Sequence, residues 1–193
     1  EEVSTMKKEW TMESASVMPV IALRGLTVFP NVLIHFDVAR EISIKALEEA
    51  MSSGSPVFLV GQKDISEERP EEKDLYTVGT ISNVRQILRT PGDNVRVMVE
   101  GVSRGSLERL TRTGPYLEAE VPPIPSEQHE RNSAKAEALI RSTYELFQQY
   151  TELAPKTAPD LLINVLASED PGYIADFIAQ NIAMRNSDKQ EAR

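Results

Sequence analysis

The chain has 193 residues, of which 40% are hydrophobic and 26% charged, a composition typical of a soluble globular protein with one domain or two small ones. It carries 30 Asp and Glu residues against 21 Lys and Arg, a formal net charge of -9, and neither half of the chain is basic. This balance repels phosphate backbones and argues against nucleic acid as a partner. The absence of cysteine excludes disulfide frameworks, thiolate catalysis and cysteine-based zinc sites.

No apolar run approaches the ~20 residues that a membrane-spanning helix needs, so no membrane partner is expected. Residues 1–16 are polar and lack the apolar segment of a signal peptide, and we expect them to form a disordered leader. A cytoplasmic location follows as an expectation. The leader also lacks an Arg-rich amphipathic stretch, which favours bacterial cytosol over the mitochondrial matrix.

Short apolar runs separated by turn residues predict seven β-strands in the first part of the chain. The predicted strands cover residues 19–23, 33–38, 56–60, 76–88, 95–102, 105–110 and 116–121. Alternation is clear in Val95, Val97 and Val99, as expected for a strand with one buried face. A Pro, Gly, Asp, Asn cluster at 91–94 predicts the turn of a long antiparallel hairpin over residues 76–102.

One helix is predicted among these strands, at residues 44–52. Ser43 can cap it, Ile44, Leu47 and Met51 fall on one face, and Gly54 follows as the terminator. Strands with one helix and many Gly and Pro turns predict a small, partly closed β-barrel with the helix over one opening.

The hydrophobic period becomes helical after the proline-rich residues 122–125, which are the best domain boundary. We therefore expect a β-rich domain at 17–123 and a helical subdomain at 124–193. Its first helix should run from near Ser126 to before Pro155, with a buried stripe of Ala136, Leu139, Ile140, Thr143, Phe147 and Tyr150.

Two further helices are predicted from their capping residues. Residues 157–160 open the second, and Asp170-Pro171 opens the third, with a buried face of Ile174, Phe177, Ile178 and Ile182. Arg185 and Lys189 suit the C-terminus of that third helix. Residues 186–193 have no apolar face and no terminator, which suggests a helix or linker that is cut short.

The motif search finds no catalytic constellation. No Gly is followed by Lys, so a phosphate-binding P-loop is excluded for this chain. Gly101-Val102-Ser103-Arg104-Gly105 fits Gly-x-Ser-x-Gly, but both flanks are predicted to be β, and a hairpin turn that needs two glycines is the better interpretation. His35 and His129 have no metal-ligand spacing, and no metal site is predicted.

Three stretches carry a family resemblance. They are MPVIALRGLTVFP at 18–30 with residues 37–40 and 43–48, DLYTVGT at 74–80 with 89–93 and 97–104, and DPGYIADFIA at 170–179 with 188–191. In this order they resemble the N-terminal domain of ATP-dependent Lon proteases of the LonA type, and the match runs from about residue 17 to the last residue.

The resemblance implies an α+β fold, with a small PUA-like β-barrel domain that contains one helix and a helical subdomain after it. It also implies a parent enzyme that is a hexameric ATPase and serine endopeptidase acting in protein quality control. The ATPase and protease segments of that family would lie beyond residue 193. No catalytic residue and no cofactor is therefore carried over, and ATP and magnesium are expected only in the missing ATPase domain.

In that family this region is linked to the capture of unfolded or degron-bearing protein substrates and to assembly of the homohexamer. Capture needs exposed apolar groups on a rigid support, and the loop residues Val28, Phe29 and Pro30 are our candidate substrate contact. A second interpretation makes Phe29 a loop anchor buried against the barrel.

Three other functions stay open at this point. The chain could be a stand-alone binding protein with the same barrel and no attached protease. It could hydrolyse a substrate from Ser103. It could bind RNA, which rests on the barrel type alone.

Overall fold

A computed structural model describes residues 16–89, 94–125, 133–154 and 159–193. Within these ranges the chain forms β1 Ser16–Leu23, β2 Leu33–Val38, α1 Glu41–Ser53, β3 Val57–Gly61, β4 Val78–Arg89, β5 Val95–Ser106, β6 Arg109–Arg112, β7 Leu117–Val121, α2 Ala134–Leu153, α3 Pro159–Leu166, α4 Pro171–Asn181 and α5 Asn186–Glu191. Several predictions fall outside the described residues. These are the leader apart from Ser16, most of the 91–94 turn, His129, the first residues of the first C-terminal helix and most of the 157–160 cap.

The strands form one mixed sheet in the order β2-β5-β4-β3-β1-β7-β6. Only β1 and β3 are parallel, and the other neighbours pair antiparallel. The predicted long hairpin is confirmed, because β4 and β5 pair from Val78↔Ser106 to Arg89↔Val95. The α+β class is confirmed as well. Strands β2 and β6 form the two edges of the sheet and do not pair with each other in the described part of the chain.

Only the centre of the described sheet is buried on both faces. Successive side chains of a strand point to opposite sides, and all residues of β3 and the last six of β1 are buried. In β3, Leu59 joins the core under α1, whereas Phe58 joins a second core with residues of β1 and β7. Both side chains are fully buried, and each contributes about 1.5–3 kcal/mol of hydrophobic stabilisation. The alternation predicted for Val95, Val97 and Val99 is confirmed, since all three are buried.

Helix α1 begins earlier than predicted. Its N-cap is Arg40, and Ser43 lies buried inside the first turn instead of capping it. Gly54 ends the helix as predicted, with φ +66° and its N–H donated to the Ala50 carbonyl. Met51, which the sequence places on one face with Ile44 and Leu47, has a side chain that is 49% exposed. Small alanines let the helix approach the sheet closely, so the buried face follows Ala46, Leu47 and Ala50.

The glycine-rich segment 101–105 is not a turn, so that prediction is wrong. It lies inside β5, where a register shift occurs opposite Ile81 and Ser82, and the strand predicted at 105–110 is split between β5 and β6. Glycine is required at both positions, because neighbouring atoms come too close to leave room for a Cβ. A Cβ on Gly101 would overlap the Phe29 carbonyl oxygen, and one on Gly105 would lie 2.6 Å from Val121 Cγ1.

Replacing Gly101 with alanine is therefore expected to destabilise the protein by about 1–3 kcal/mol, because the atom it meets belongs to the backbone and cannot rotate away. Urea denaturation followed by circular dichroism measures the change. Ser106→Ala, at the end of the same strand, is the control and should unfold at the wild-type midpoint. An unchanged midpoint for Gly101→Ala would contradict this account of the glycine.

Helices α2, α3 and α4 pack around a third core of Phe147, Val165 and Ile174. Asp170 caps α4 as predicted, its carboxylate accepting from the Gly172 and Tyr173 N–H groups. Ser133 caps α2 in the same way. Leu139 does not belong to the buried stripe, since it is 60% exposed. None of the described helices has the length and apolar character to span a membrane.

The third predicted helix ends at Asn181, and Lys189 belongs to the separate helix α5. That helix lies against the sheet through polar contacts, which explains why the sequence carries no apolar signal for it. Gln190 Nε2 donates to the Val78 carbonyl at 2.8 Å. The Arg193 guanidinium donates to the Val28 carbonyl at 2.6 Å, and burial, with a further contribution from nearby Arg104, lowers the pKa of Arg193 to about 10.

The domain division at residues 122–125 stays a prediction. Strands end at Val121 and helices begin at Ala134, so the change of structural class falls between them. The two parts are nevertheless held together by an ion pair between Arg104 and Asp176 and by the contacts of α5.

Candidate protein-binding groove

A groove of about 550 Å³ lies between the sheet and helices α2 and α4. The sheet side consists of a turn after the Phe29 loop, the end of β5 and the segment that follows β7. The helical side consists of the first half of α2 and the first turns of α4. The lining residues are Pro30, Asn31, Val102, Ser103, Arg104, Ile124, Pro125, Ala136, Leu139, Ile140, Thr143 and the run 170–176.

The sheet side is shaped by a tight turn at Asn31. Asn31 adopts φ 59°, a left-handed conformation that asparagine tolerates better than most residues. Its N–H donates to the Gly101 carbonyl, and the Gly101 N–H donates to the Val32 carbonyl, both at 2.9 Å. These bonds fix the turn to β5 and place Pro30 at the groove.

The helical side is an apolar face of α2. Ala136, Leu139, Ile140 and Thr143 are spaced i, i+3, i+4 and i+7, so they share one face of the helix. Ile140 packs on the third core, whereas Leu139 keeps 60% of its surface accessible. Leu139 therefore offers a large apolar side chain inside a concave surface, the arrangement typical of ligand-binding sites.

One wall of the groove contains a buried ion pair that joins the sheet to α4. Arg104 donates from both terminal nitrogens to the Asp176 carboxylate, at 2.6 and 3.1 Å, and the Asp176 side chain is only 7% exposed. Arg104 Nε also donates to the Arg193 carbonyl at 2.8 Å. Such a two-bond arrangement is rigid, so it sets the spacing between the two sides of the groove.

The structure contradicts the expectation that Val28 and Phe29 are exposed. Both are fully buried. The Val28 carbonyl accepts from the Thr80 hydroxyl and from Arg193, each at 2.6 Å, and the Phe29 N–H donates to Gln180 Oε1 at 3.1 Å. This is the buried loop anchor of the second interpretation. Of the three predicted contacts only Pro30 lines the groove, and it too is buried.

The structure also places two other residues that the sequence singled out, Ser103 and His35. Ser103 lies on the groove, and both its flanks are β-strand, as predicted. His35 is exposed on β2. No group of three His, Cys, Asp or Glu side chains converges within the part of the chain that the structure describes.

The sequence does not predict this groove. Its apolar signal was present in Leu139, which was placed on the buried stripe, and in the 122–125 segment, which was treated as a boundary. Binding sites often form where two structural units meet, and Ile124 and Pro125 lie at such a junction.

The mixed sheet and the helices packed beside it define an α+β fold, with a concave, largely apolar groove between them. A family model described as the substrate-binding domain of ATP-dependent protease La (LON) matches residues 17–191. The chain belongs to this LON substrate-binding family, as the sequence resemblance predicted.

Individual relatives and solved structures support this family assignment. The chain is 40% identical over 173 residues to a Lon protease of Desulforamulus reducens and 39% identical over 177 residues to one of Clostridioides difficile, in each case over 90% of its own length. It spans only about a fifth of those proteins, 21% and 22%.

Two solved structures share the fold. The N-terminal domain of a Mycobacterium avium complex Lon protease superposes with a TM-score of 0.71 at 18% identity. A Lon N-terminal domain protein from Xanthomonas campestris gives 0.62 at 11% identity, and both cover 91% of this chain and 88% of their own.

Proposed function

We propose that this chain is the substrate-recognition and assembly region of a Lon-type ATP-dependent serine endopeptidase that degrades misfolded and regulatory proteins, and that it holds unfolded or degron-bearing substrates in the groove. One observation carries the proposal. In a chain of the LON substrate-binding family, the groove presents the exposed side chain of Leu139 on a rigid support.

Hydrophobic burial explains the selectivity that such a groove would have. A folded protein keeps its large apolar side chains inside, whereas an unfolded segment offers them to any apolar surface. Pro30, Ile124 and Leu139 come from three different parts of the chain, so the groove exists only in the folded domain. Its volume of about 550 Å³ accommodates side chains and short segments of polypeptide.

The remaining parts of the proposal concern a longer protein. The chain itself would be non-catalytic, with ATP and magnesium bound by segments outside residues 1–193. Other copies of the protein would complete a homohexamer in the bacterial cytosol. A stand-alone LON-domain binding protein is the alternative, and it would use the same groove. The 40% and 39% identity to Lon proteases is what favours the protease.

Replacing Leu139 with aspartate tests the groove. We expect binding of a destabilised model protein to weaken by about tenfold or more, because a leucine contact worth about 1.5–3 kcal/mol is exchanged for a charge. Fluorescence anisotropy of the labelled model protein, in folded and destabilised forms, measures the affinity.

The matched control is Ile163→Asp on α3. Ile163 is 64% exposed, close to the 60% of Leu139, and does not line the groove. This variant should bind as the wild type does. Equal binding by the wild type and Leu139→Asp, or no preference for the destabilised form, would overturn the proposal.

A further inference from the structure

We propose that a second cavity, at the start of α1, is a pocket that binds the C-terminal carboxylate of a polypeptide through Arg40 and Arg69. The cavity has a volume of about 990 Å³ and shares no lining residue with the groove. The inference goes beyond the proposed function, because it assigns a different surface and the recognition of a charged chain end instead of an apolar segment.

Four cationic side chains line the cavity. They are Arg24, Arg40, Lys45 and Arg69. Two of the four have a carboxylate partner of their own, since Lys45 pairs with Glu41 at 2.6 Å and Arg24 pairs with Glu68 at 3.1 Å. The charge that is left for a ligand therefore belongs to the other two.

Arg40 and Arg69 carry this charge. Neither forms an ion pair with a carboxylate in the described ranges of the chain, and the third lining carboxylate, Glu71, pairs with Lys73 at 3.0 Å. Burial lowers the pKa of the Arg40 guanidinium, and the charge of Arg24 lowers it further. A partly buried cation without an anionic partner is costly, and an anionic ligand would offset that cost.

Arg40 is held in place by neutral oxygens. One terminal nitrogen donates to Gln62 Oε1 at 3.0 Å, and the other donates to the Ala22 carbonyl. Gln62 is buried, and its Nε2 donates to the Asp64 and Glu67 carbonyls, each at 2.6 Å, which orients its oxygen toward Arg40. A guanidinium has five N–H groups, so these two bonds leave donors free on a side chain that is already positioned.

The cavity favours a carboxylate on an apolar group over a phosphate. Four cationic side chains and three carboxylates leave a single net positive charge, whereas a phosphate group carries about −1.5 to −2 at pH 7. The planar guanidinium matches the two oxygens of a carboxylate. Ile42, Pro70 and Leu117 supply apolar walls for the side chain beside it. The last residue of a polypeptide combines both groups.

A labelled hexapeptide that ends in two leucines tests the proposal. We would measure its affinity for the full chain by fluorescence anisotropy, once as the free acid and once as the C-terminal amide. The acid should bind about tenfold more tightly or better, because the amide loses the hydrogen bonds between the charged groups. The groove would bind both forms alike through apolar contacts, so the difference between them reports on the cavity alone.

Two variants locate the site. Arg40→Gln should reduce the preference for the acid about tenfold, and its unfolding midpoint in urea shows whether the loss of its structural bonds matters. Arg69→Gln changes an exposed side chain and should reduce the preference at least about threefold in a folded protein. The matched control is Arg141→Gln on α2. Arg141 is also exposed and lies outside the cavity, so this variant should behave as the wild type does.

Three outcomes would overturn the proposal. The acid and the amide could bind equally, the preference for the acid could survive unchanged in Arg69→Gln, or inorganic phosphate could displace the peptide at a concentration at which N-acetyl-leucine does not. The expected result is displacement by N-acetyl-leucine and none by phosphate. Leu139→Asp should keep the difference between acid and amide, so failure of this proposal and failure of the proposed function are scored separately.

Discussion

Phe29→Ala is expected to lower the free energy of unfolding by about 3–5 kcal/mol, the cost of removing a fully buried aromatic side chain and leaving a cavity. The loop that carries Phe29 is also bonded to three other parts of the chain, through Thr80, Gln180 and Arg193. The surroundings therefore cannot collapse freely into the space, which places the cost in the upper part of this range. Urea denaturation at equilibrium gives the value.

Leu139→Ala is the control for this prediction. Leu139 is 60% exposed, so its truncation should change stability by no more than about 0.5 kcal/mol while it weakens client binding. The opposite pattern, a stable Phe29→Ala variant that no longer binds the client, would return Phe29 to the role of an exposed substrate contact.

Asp176→Ala is expected to cost about 3 kcal/mol of stability. It leaves the Arg104 guanidinium, only 26% exposed, without its carboxylate partner, and breaking a buried pair in this way costs about 3–5 kcal/mol. The value falls at the lower end because Arg104 keeps its bond to the Arg193 carbonyl. Since the pair joins β5 to α4 across the groove, client binding should weaken as well.

Asp37→Ala is the matched control for the ion pair. Asp37 likewise accepts two hydrogen bonds from one guanidinium, from Nε and a terminal nitrogen of Arg96 at 2.8 and 3.0 Å, but both side chains are more than half exposed. Solvent screens such a pair, so the unfolding midpoint should stay close to that of the wild type. Equal losses in the two variants would mean that burial of Asp176 does not decide the strength of its pair.

Elements whose signal is local were predictable. The alternation in β5 and the Asp170-Pro171 helix start depend on neighbouring residues, and the structure confirms both. The end of α1 at Gly54 follows from a positive φ that glycine adopts without strain. The family was predictable for another reason. Three motifs in a fixed order identify the LON family, whereas each motif alone would be too short to do so.

Features that depend on contacts between distant parts of the chain were not predictable in this way. The sequence predicts a turn at Gly101, whereas in the structure this glycine lies in a strand and the Phe29 backbone passes against it. Helix α5 carries no hydrophobic pattern. It is held by hydrogen bonds from Gln190 to the Val78 carbonyl in β4 and from Arg193 to the Val28 carbonyl in the loop after β1. Hydrogen bonds between residues far apart in the chain produce no periodic pattern in the amino-acid sequence.

The amino-acid sequence by itself determined the order of strands and helices as far as α4, the absence of thiol chemistry and the LON family of this chain, because each of these is encoded in local pattern, composition or motif order. Only the tertiary structure decided that Phe29 is buried and that Leu139 is exposed in a groove. The physical reason is that burial depends on what packs against a side chain. Phe29 bonds to Gln180, 151 residues further along the chain, and the Val28 carbonyl before it bonds to Arg193, 165 residues further along. Leu139 instead faces the groove between the sheet and the helices.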